Sequence, residues 1–316
     1  MSPFPAQEPR LSLRRHLSAA QRSLGAALAV VVGLGCGGRS HLTDETTRPG
    51  APDACAGSAP AVSPAVALSA GAGSTCAINA AGAVKCWGRG REGQLGDGSA
   101  ADSPVPVGVV RLSSNAIAVA TGGSSTCALT TAGAVKCWGW NHHGELGDDS
   151  TAASPVPMEV VGLSACVSAV STGMHTCALT AGGAAKCWGL NSNGELGINS
   201  YTDSHVPVDV AGLSSGVLGI SVGGVHTCAV ADFGAVKCWG WRTSGQLGNG
   251  YGTETGLVPV DVVGLSSGVI DVSSGYAHTC ALTAAGAVRC WGSNRAGALG
   301  DGAPTRRRVT VDVIGP

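Results

Sequence analysis

Charge and aromatic rings are scarce in this chain. Only 12% of its residues are Asp, Glu, Lys or Arg, and 4% are Phe, Trp or Tyr. An ordinary soluble domain is about 25% charged. Long hydrophobic runs are scarce as well. The longest uncharged apolar stretch, residues 24–35, has 12 residues, and a spanning helix needs about 20. A polytopic helical membrane protein is therefore excluded. Neither sign of charge dominates: 19 Lys and Arg face 20 Asp and Glu, a net of −1, so nothing draws the chain as a whole to nucleic acid. There is no P-loop, dinucleotide fingerprint, nucleophile elbow or HExxH helix. No catalytic residue, cofactor or metal site is expected. What is abundant is Gly, with 50 residues, and Cys, with 13. Glycine spread along the whole chain rules out long helices. Thirteen cysteines are too many for a typical reduced cytoplasmic protein.

The first 36 residues read as an export leader. Arg10, Arg14, Arg15 and Arg22 precede the apolar stretch 24–35, and small residues lead to Cys36. The segment resembles a bacterial lipoprotein signal, which implies lipidation of Cys36 and a membrane anchor. Ordinary secretion is the alternative. Residues 37–63 are rich in Gly, Ser, Thr, Pro and Ala and read as a tether. Residues 64–316 form the body.

The body repeats one unit five times. Each copy contains Cys-x9-Cys-Trp-Gly. The pairs are Cys76 with Cys86, Cys127 with Cys137, Cys177 with Cys187, Cys228 with Cys238 and Cys280 with Cys290. The first cysteines are 51, 50, 51 and 52 residues apart, a period typical of propellers and arrays. Short strands are expected in each unit. In the second these are residues 117–120, 126–129 and 135–138, with 105–110 as the outermost type of strand. If Cys127 faces Cys137, the residues between pair inward and leave Thr131, Ala132 and Gly133 as the loop. Gly133 then takes the left-handed position of a three-residue hairpin. Gly82, Gly183, Gly234 and Gly286 recur there. Facing cysteines across a hairpin suit a disulfide in an oxidising compartment, with free thiols or a shared metal as competing readings. Counting Cys36 as lipidated leaves Cys55 and Cys166, which could staple tether to body.

Three blocks recur in order: Gly-x-x-His-Thr-Cys-Ala-Leu, Gly-x-x-[Lys/Arg]-Cys-Trp-Gly and Gly-[Gln/Glu]-Leu-Gly. They are clearest between Gly173 and Gly197, where a single residue, Met174, separates the first Gly from His175. The body resembles the regulator of chromosome condensation repeat family, in a bacterial exported version. The resemblance covers about 80% of the chain and implies an all-β fold, a β-propeller with one four-stranded blade per repeat, here five. The best-known members of that family have seven blades, so either a five-bladed ring closes or an open arc results. Residues 309–313 would complete the first blade if blades are counted from the outermost strand. Eukaryotic relatives act in nucleotide exchange and dock on chromatin. That activity is not expected here, because the body has 13 basic and 16 acidic residues and an exported protein does not meet a cytosolic GTPase.

The five copies align with one another. Trp87, Trp138, Trp188, Trp239 and Trp291 follow each second cysteine and read as packing between blades. His175, His226 and His278 alternate with Ser74 and Ser125, which argues against a shared metal. Leu95, Leu146, Leu196, Leu247 and Leu299 read as core plugs. Asp97, Asp148, Asp149, Asn199, Asn249 and Asp301 read as turn residues, because a full calcium-loop spacing is missing. The segment after Trp-Gly varies. It offers Arg89, Arg91, Trp140, His142, His143, Trp241, Arg242 and Arg295 as a candidate binding face, since Trp and Arg are favoured at hot spots. Neutral drift of surface loops is the competing explanation. The expected function is a non-enzymatic, tethered module binding a protein or glycan, with secreted enzyme inhibitor as the alternative.

Overall fold

The computed structural model describes residues 67–252 and 256–315. The leader, Cys36, Cys55 and the tether lie outside the described residues. The body is built of five four-stranded antiparallel sheets, each a simple meander in which chain neighbours pair. The first blade holds β1 (Ala67–Ala70), β2 (Ser74–Ile78), β3 (Val84–Gly88) and β4 (Ser103–Gly108). The second holds β5 (Ala116–Thr121), β6 (Ser125–Thr130), β7 (Val135–Gly139) and β8 (Ser154–Glu159). The third holds β9 (Val167–Thr172), β10 (His175–Thr180), β11 (Ala185–Gly189) and β12 (Ser204–Asp209). The fourth holds β13 (Val217–Val222), β14 (His226–Ala231), β15 (Ala235–Gly240) and β16 (Gly256–Asp261). The fifth holds β17 (Val269–Ser274), β18 (His278–Thr283), β19 (Val288–Gly292) and β20 (Arg307–Asp312).

The hairpin register follows from the cysteines. Cys127 lies opposite Cys137, and the amide of Thr130 donates to Ala134 O across a loop of Thr131, Ala132 and Gly133. Gly133 has φ 74°, and the equivalent Gly82, Gly183, Gly234 and Gly286 are also left-handed. A side chain at Gly133 would also meet the backbone of Cys166 at 2.6 Å. Every expected cysteine pair is formed. Cys76 is bonded to Cys86, and Cys127 to Cys137. Cys177 is bonded to Cys187, Cys228 to Cys238, and Cys280 to Cys290. The Cα atoms of each pair are 4.1 Å apart. This is the closely spaced, non-hydrogen-bonded site of an antiparallel ladder. The outermost strand starts and ends two residues earlier than expected. β4 ends at Gly108, because the amide of Val109 turns back to Val84 O.

Blades stack through one repeated set of bonds. Trp138 Nε1 donates to Gln94 O of the preceding blade at 2.9 Å, and Thr126 Oγ1 donates to the same carbonyl. Trp188 and Thr176 do this to Glu145 O, and Trp239 and Thr227 to Glu195 O. Trp291 Nε1 donates to Gln246 O. These four tryptophans are fully buried, as are all five plug leucines from Leu95 to Leu299. A buried indole N–H needs an acceptor, and here the acceptor is the adjacent blade. His175 Nε2 shares a hydrogen bond with Thr227 Oγ1, and His226 Nε2 with Thr279 Oγ1, both 2.6 Å. In the second blade Ser125 Oγ reaches Thr172 Oγ1 instead, which is why a small hydroxyl can replace the imidazole.

The first and fifth blades are not joined to one another by any hydrogen bond among the described residues. Trp87 is half-buried where its four counterparts are buried, and Leu68 is exposed. At the other end His278 and Cys280 are half-buried. The ring closure expected from the last strand is corrected on one point. β20 pairs with β19, with Val311 opposite Cys290, so it completes the fifth blade rather than the first.

Candidate functional site

Each blade has two ends. At one end lie the β2–β3 hairpin and its equivalents. At the other lie the turn from first to second strand and the long loop from third to fourth strand. The variable residues sit in that long loop, and backbone bonds fix where it starts. The amide of Arg89 donates to Gly73 O, that of Trp140 to Ser124 O, that of Trp241 to Val225 O and that of Ser293 to Ala277 O. Arg89, Trp140 and Trp241 therefore stand beside the first turn of their own blades, at the same end.

A buried amide side chain then shapes the loop. Asn141 Oδ1 accepts from the amide of Leu146, while Nδ2 donates to Asp148 Oδ1 and to Ser150 O and Ala152 O. Asn191 and Asn294 do the same for Leu196 and Leu299. Arg242 occupies this position in the fourth blade and is half-buried. In the first blade Gly90 stands there, with room for nothing larger, since an added Cβ would lie 1.9 Å from Ala101 O. A second tie comes from the Gln or Glu of the third block. Gln94 Oε1 accepts from the amide of Glu92, Glu145 Oε2 from His143, Glu195 Oε2 from Asn193 and Gln246 Oε1 from Ser244. Glu145 and Glu195 are buried, and burial raises their pKa above the ordinary value. The fifth blade has Ala298 in that place. Its loop forms instead the short turn Arg295–Gly297, with Ala296 left-handed at φ 58°.

The candidate face is partly assembled by direct contacts. Trp140 and His142 are stacked, with ring centroids 4.0 Å apart. His143 Nδ1 lies 2.7 Å from Asp203 Oδ2 of the third blade, whose Oδ1 accepts from the amide of Asn191. Arg91 lies 3.3 Å from Asp102 and Arg89 3.9 Å from Glu92. The amide of Gly90 bonded to Asp102, helped by the Arg91 charge, holds that carboxyl below its usual range. Arg295 is exposed.

Sequence reasoning passed over two residues on this end. Met174 and Tyr276 occupy the turns between first and second strands of the third and fifth blades, and both are exposed. Tyr276 stands where other copies have Ala72, Gly123 and Gly224, and Met174 where they have Gly73, Ser124, Val225 and Ala277, and that variation was the available signal. Tyr276 lies over Gly224, where any Cβ would sit 2.3 Å from its ring. The expected turn residues behave as such. Asp97 Oδ1 accepts from Ser99 N, Asp148 Oδ1 from Ser150 N, Asn249 Oδ1 from Tyr251 N and Asp301 Oδ1 from Ala303 N. Asp149 and Asn199 are left-handed. Among the described residues no group of three His, Cys, Asp or Glu is placed to hold a metal ion.

Repeated four-stranded blades with variable loops gathered at one end define a β-propeller carrying its diversity on one face. The chain belongs to the family of the RCC1-like domain, whose model matches residues 27–314. It is similar to the ultraviolet-B receptor UVR8 of Arabidopsis thaliana, 33% identical over 243 residues, which are 75% of this chain and 55% of that protein. It is also similar to the human E3 ubiquitin-protein ligase HERC2, 29% identical over 241 residues, 75% of this chain and 4% of the ligase. The chain thus spans about half of the first relative and a small part of the second. Among solved structures, human WBSCR16 superposes with a TM-score of 0.71 at 24% identity, covering 79% of this chain and 67% of that one. Prp20p of Saccharomyces cerevisiae, a structure reported with its binding to Gsp1p and histones, superposes with a TM-score of 0.68 at 21% identity, covering 76% and 61%. These two likenesses establish the fold.

Proposed function

We propose that this propeller is a non-enzymatic module that binds a protein partner through its long-loop face, from a place at the cell envelope. The observation that carries the reading is the buried scaffolding under variable side chains. Asn141, Glu145 and Asp203 fix the backbone around Trp140, His142 and His143, so little conformational entropy remains to be lost on binding. Met174 and Tyr276 add exposed apolar surface at the same end of the blades. Relatives in the family include receptor and ligase chains, which supports protein interaction as the common use of the fold. Five cysteine pairs at bonding distance support an oxidising compartment, in keeping with the leader and with anchoring at Cys36.

The test is capture of envelope proteins on the mature chain, run beside a variant carrying Trp140→Ala, Trp241→Ala and Arg242→Ala. A stoichiometric protein retained by the parent and lost from the variant supports the assignment. If that protein is an enzyme silenced on binding, the module is an inhibitor. Retention by both baits removes the chosen face, and capture of glycan alone removes the protein partner.

A further inference from the structure

Arg306, Arg307 and Arg308 form the only run of three like charges in the body, and the candidate face did not include them. Most cations of the body are answered by an acid. Lys136 faces Glu159, Lys186 lies 2.6 Å from Asp209, Lys237 2.6 Å from Asp261 and Arg289 3.0 Å from Asp312. Within the run only Arg307 is answered. Its Nε lies 2.6 Å from Asp301 Oδ2, and that carboxylate is buried. Arg306 and Arg308 are exposed, and among the described residues neither has a carboxylate within ion-pair distance.

Strand alternation separates the three. Arg307 stands opposite Gly292, at the long-loop end of the fifth blade. Side chains two apart on an extended chain leave on one side, and the one between leaves on the other. Arg307 turns into its own loop, while Arg306 and Arg308 turn toward the fourth blade. Arg306 Nη1 donates to Thr243 O at 3.0 Å. The Arg308 guanidinium lies over Gly252, where an added Cβ would stand 2.5 Å from its Cζ. The amide of Gly250 donates to Arg308 O at 2.9 Å, which pins the start of β20 to the fourth blade as well. Two residues of extended chain span about 6.6 Å. An extended peptide with an acid at every second position presents its carboxylates at that same spacing. A guanidinium holds five N–H donors in a planar fork that suits a carboxylate, and the single bond to Thr243 leaves most of the Arg306 fork open.

We propose that Arg306 and Arg308 form a subsite for an extended acidic segment of the protein partner, each guanidinium taking one of two carboxylates at alternate positions. The subsite rests on the reading of the long-loop end as a protein-binding face, and it names one chemical feature of what binds there. A short acidic segment fits better than a long polyanion. The body carries 13 basic and 16 acidic residues, so away from this patch its field repels a chain of negative charge.

The test titrates two labelled octapeptides into the full mature chain at low salt, where exposed ion pairs are least screened. One repeats Glu-Ser, the other repeats Glu-Glu-Ser-Ser, so composition and charge are equal but only the first has acids two apart. The first is expected to bind at least fivefold tighter. Arg306→Gln with Arg308→Gln is expected to abolish that preference. Lys85→Gln with Arg111→Gln removes the same charge elsewhere on the body and is expected to keep it. Near-ultraviolet circular dichroism checks the fold of both variants. Equal binding of the two peptides, binding of neither, or loss of the preference in the Lys85 and Arg111 control overturns the proposal. So does tighter binding of an octameric oligothymidylate, which would assign the patch to a nucleic acid. The captured partner separates this subsite from the face that contains it. Full affinity in the Arg306 and Arg308 variant, with loss in Trp140→Ala and Trp241→Ala, removes the subsite and leaves the face standing.

Discussion

His175 and His226 are buried without charge, and burial pushes each pKa down to about 3 from 6.5. Between those values the unfolded chain binds protons that the folded chain refuses. Stability from these groups is therefore present above pH 6.5 and is lost as pH falls toward 3. Glu145 and Glu195 act in the opposite sense. Their raised pKa means that the folded form keeps a proton longer, so their contribution declines as pH climbs above 4.5. Serine occupies the imidazole position in the second blade, which makes His175→Ser with His226→Ser the control. The melting temperature of the parent should fall more steeply from about pH 7 to about pH 4 than that of the double variant. Parallel curves would contradict the assignment. A second residue-scale expectation concerns Asn141. Its replacement by Ala leaves the amide of Leu146 buried and unpaired, at a cost of about 1–3 kcal/mol, which urea denaturation will report.

At the scale of elements, the indole-to-carbonyl bond defines each seam. Trp188→Phe removes the donor to Glu145 O and part of a buried ring, with an expected loss of about 2–3 kcal/mol. Trp87→Phe, at a half-buried end, should cost under about 0.5 kcal/mol. The contrast is read from paired denaturation curves, and equal losses would mean that the first blade is covered as the others are. The cysteine bridges should separate likewise. Cys86, Cys187 and Cys238 are buried with their partners, as is Cys137, whereas Cys280 is partly exposed. Limited reductant followed by alkylation should therefore label Cys280 and Cys290 first. The hairpins were legible beforehand because cysteine register and glycine position constrain the same three residues. The bulges at Ile117, Leu218 and Ile270 were not, since one added residue reverses the alternation partway along a six-residue strand, and too few residues remain on either side to show a period of two. Nor did the variable segment disclose its two layers. Asn141 looks like its neighbours in a loop, yet it is fully buried while His142 is exposed, and the half-buried Arg242 takes the same position in the fourth blade.

At the scale of the whole molecule, the repeat period sets the number of blades but not how the end blades are covered, because closure depends on curvature summed over every seam. The long-loop face gathers variable residues at one end, and the opposite end carries Phe233, which is 90% exposed in the turn Asp232–Gly234 joining β14 to β15. That asymmetry makes the central claim testable with a single titration. The captured partner is titrated into the parent propeller, into Trp140→Ala with Trp241→Ala, and into Phe233→Ala on the hairpin end. The account predicts at least a tenfold loss of affinity, about 1.4 kcal/mol, for the double variant and none for Phe233→Ala. Unchanged affinity in the double variant, or a loss confined to Phe233→Ala, would contradict it.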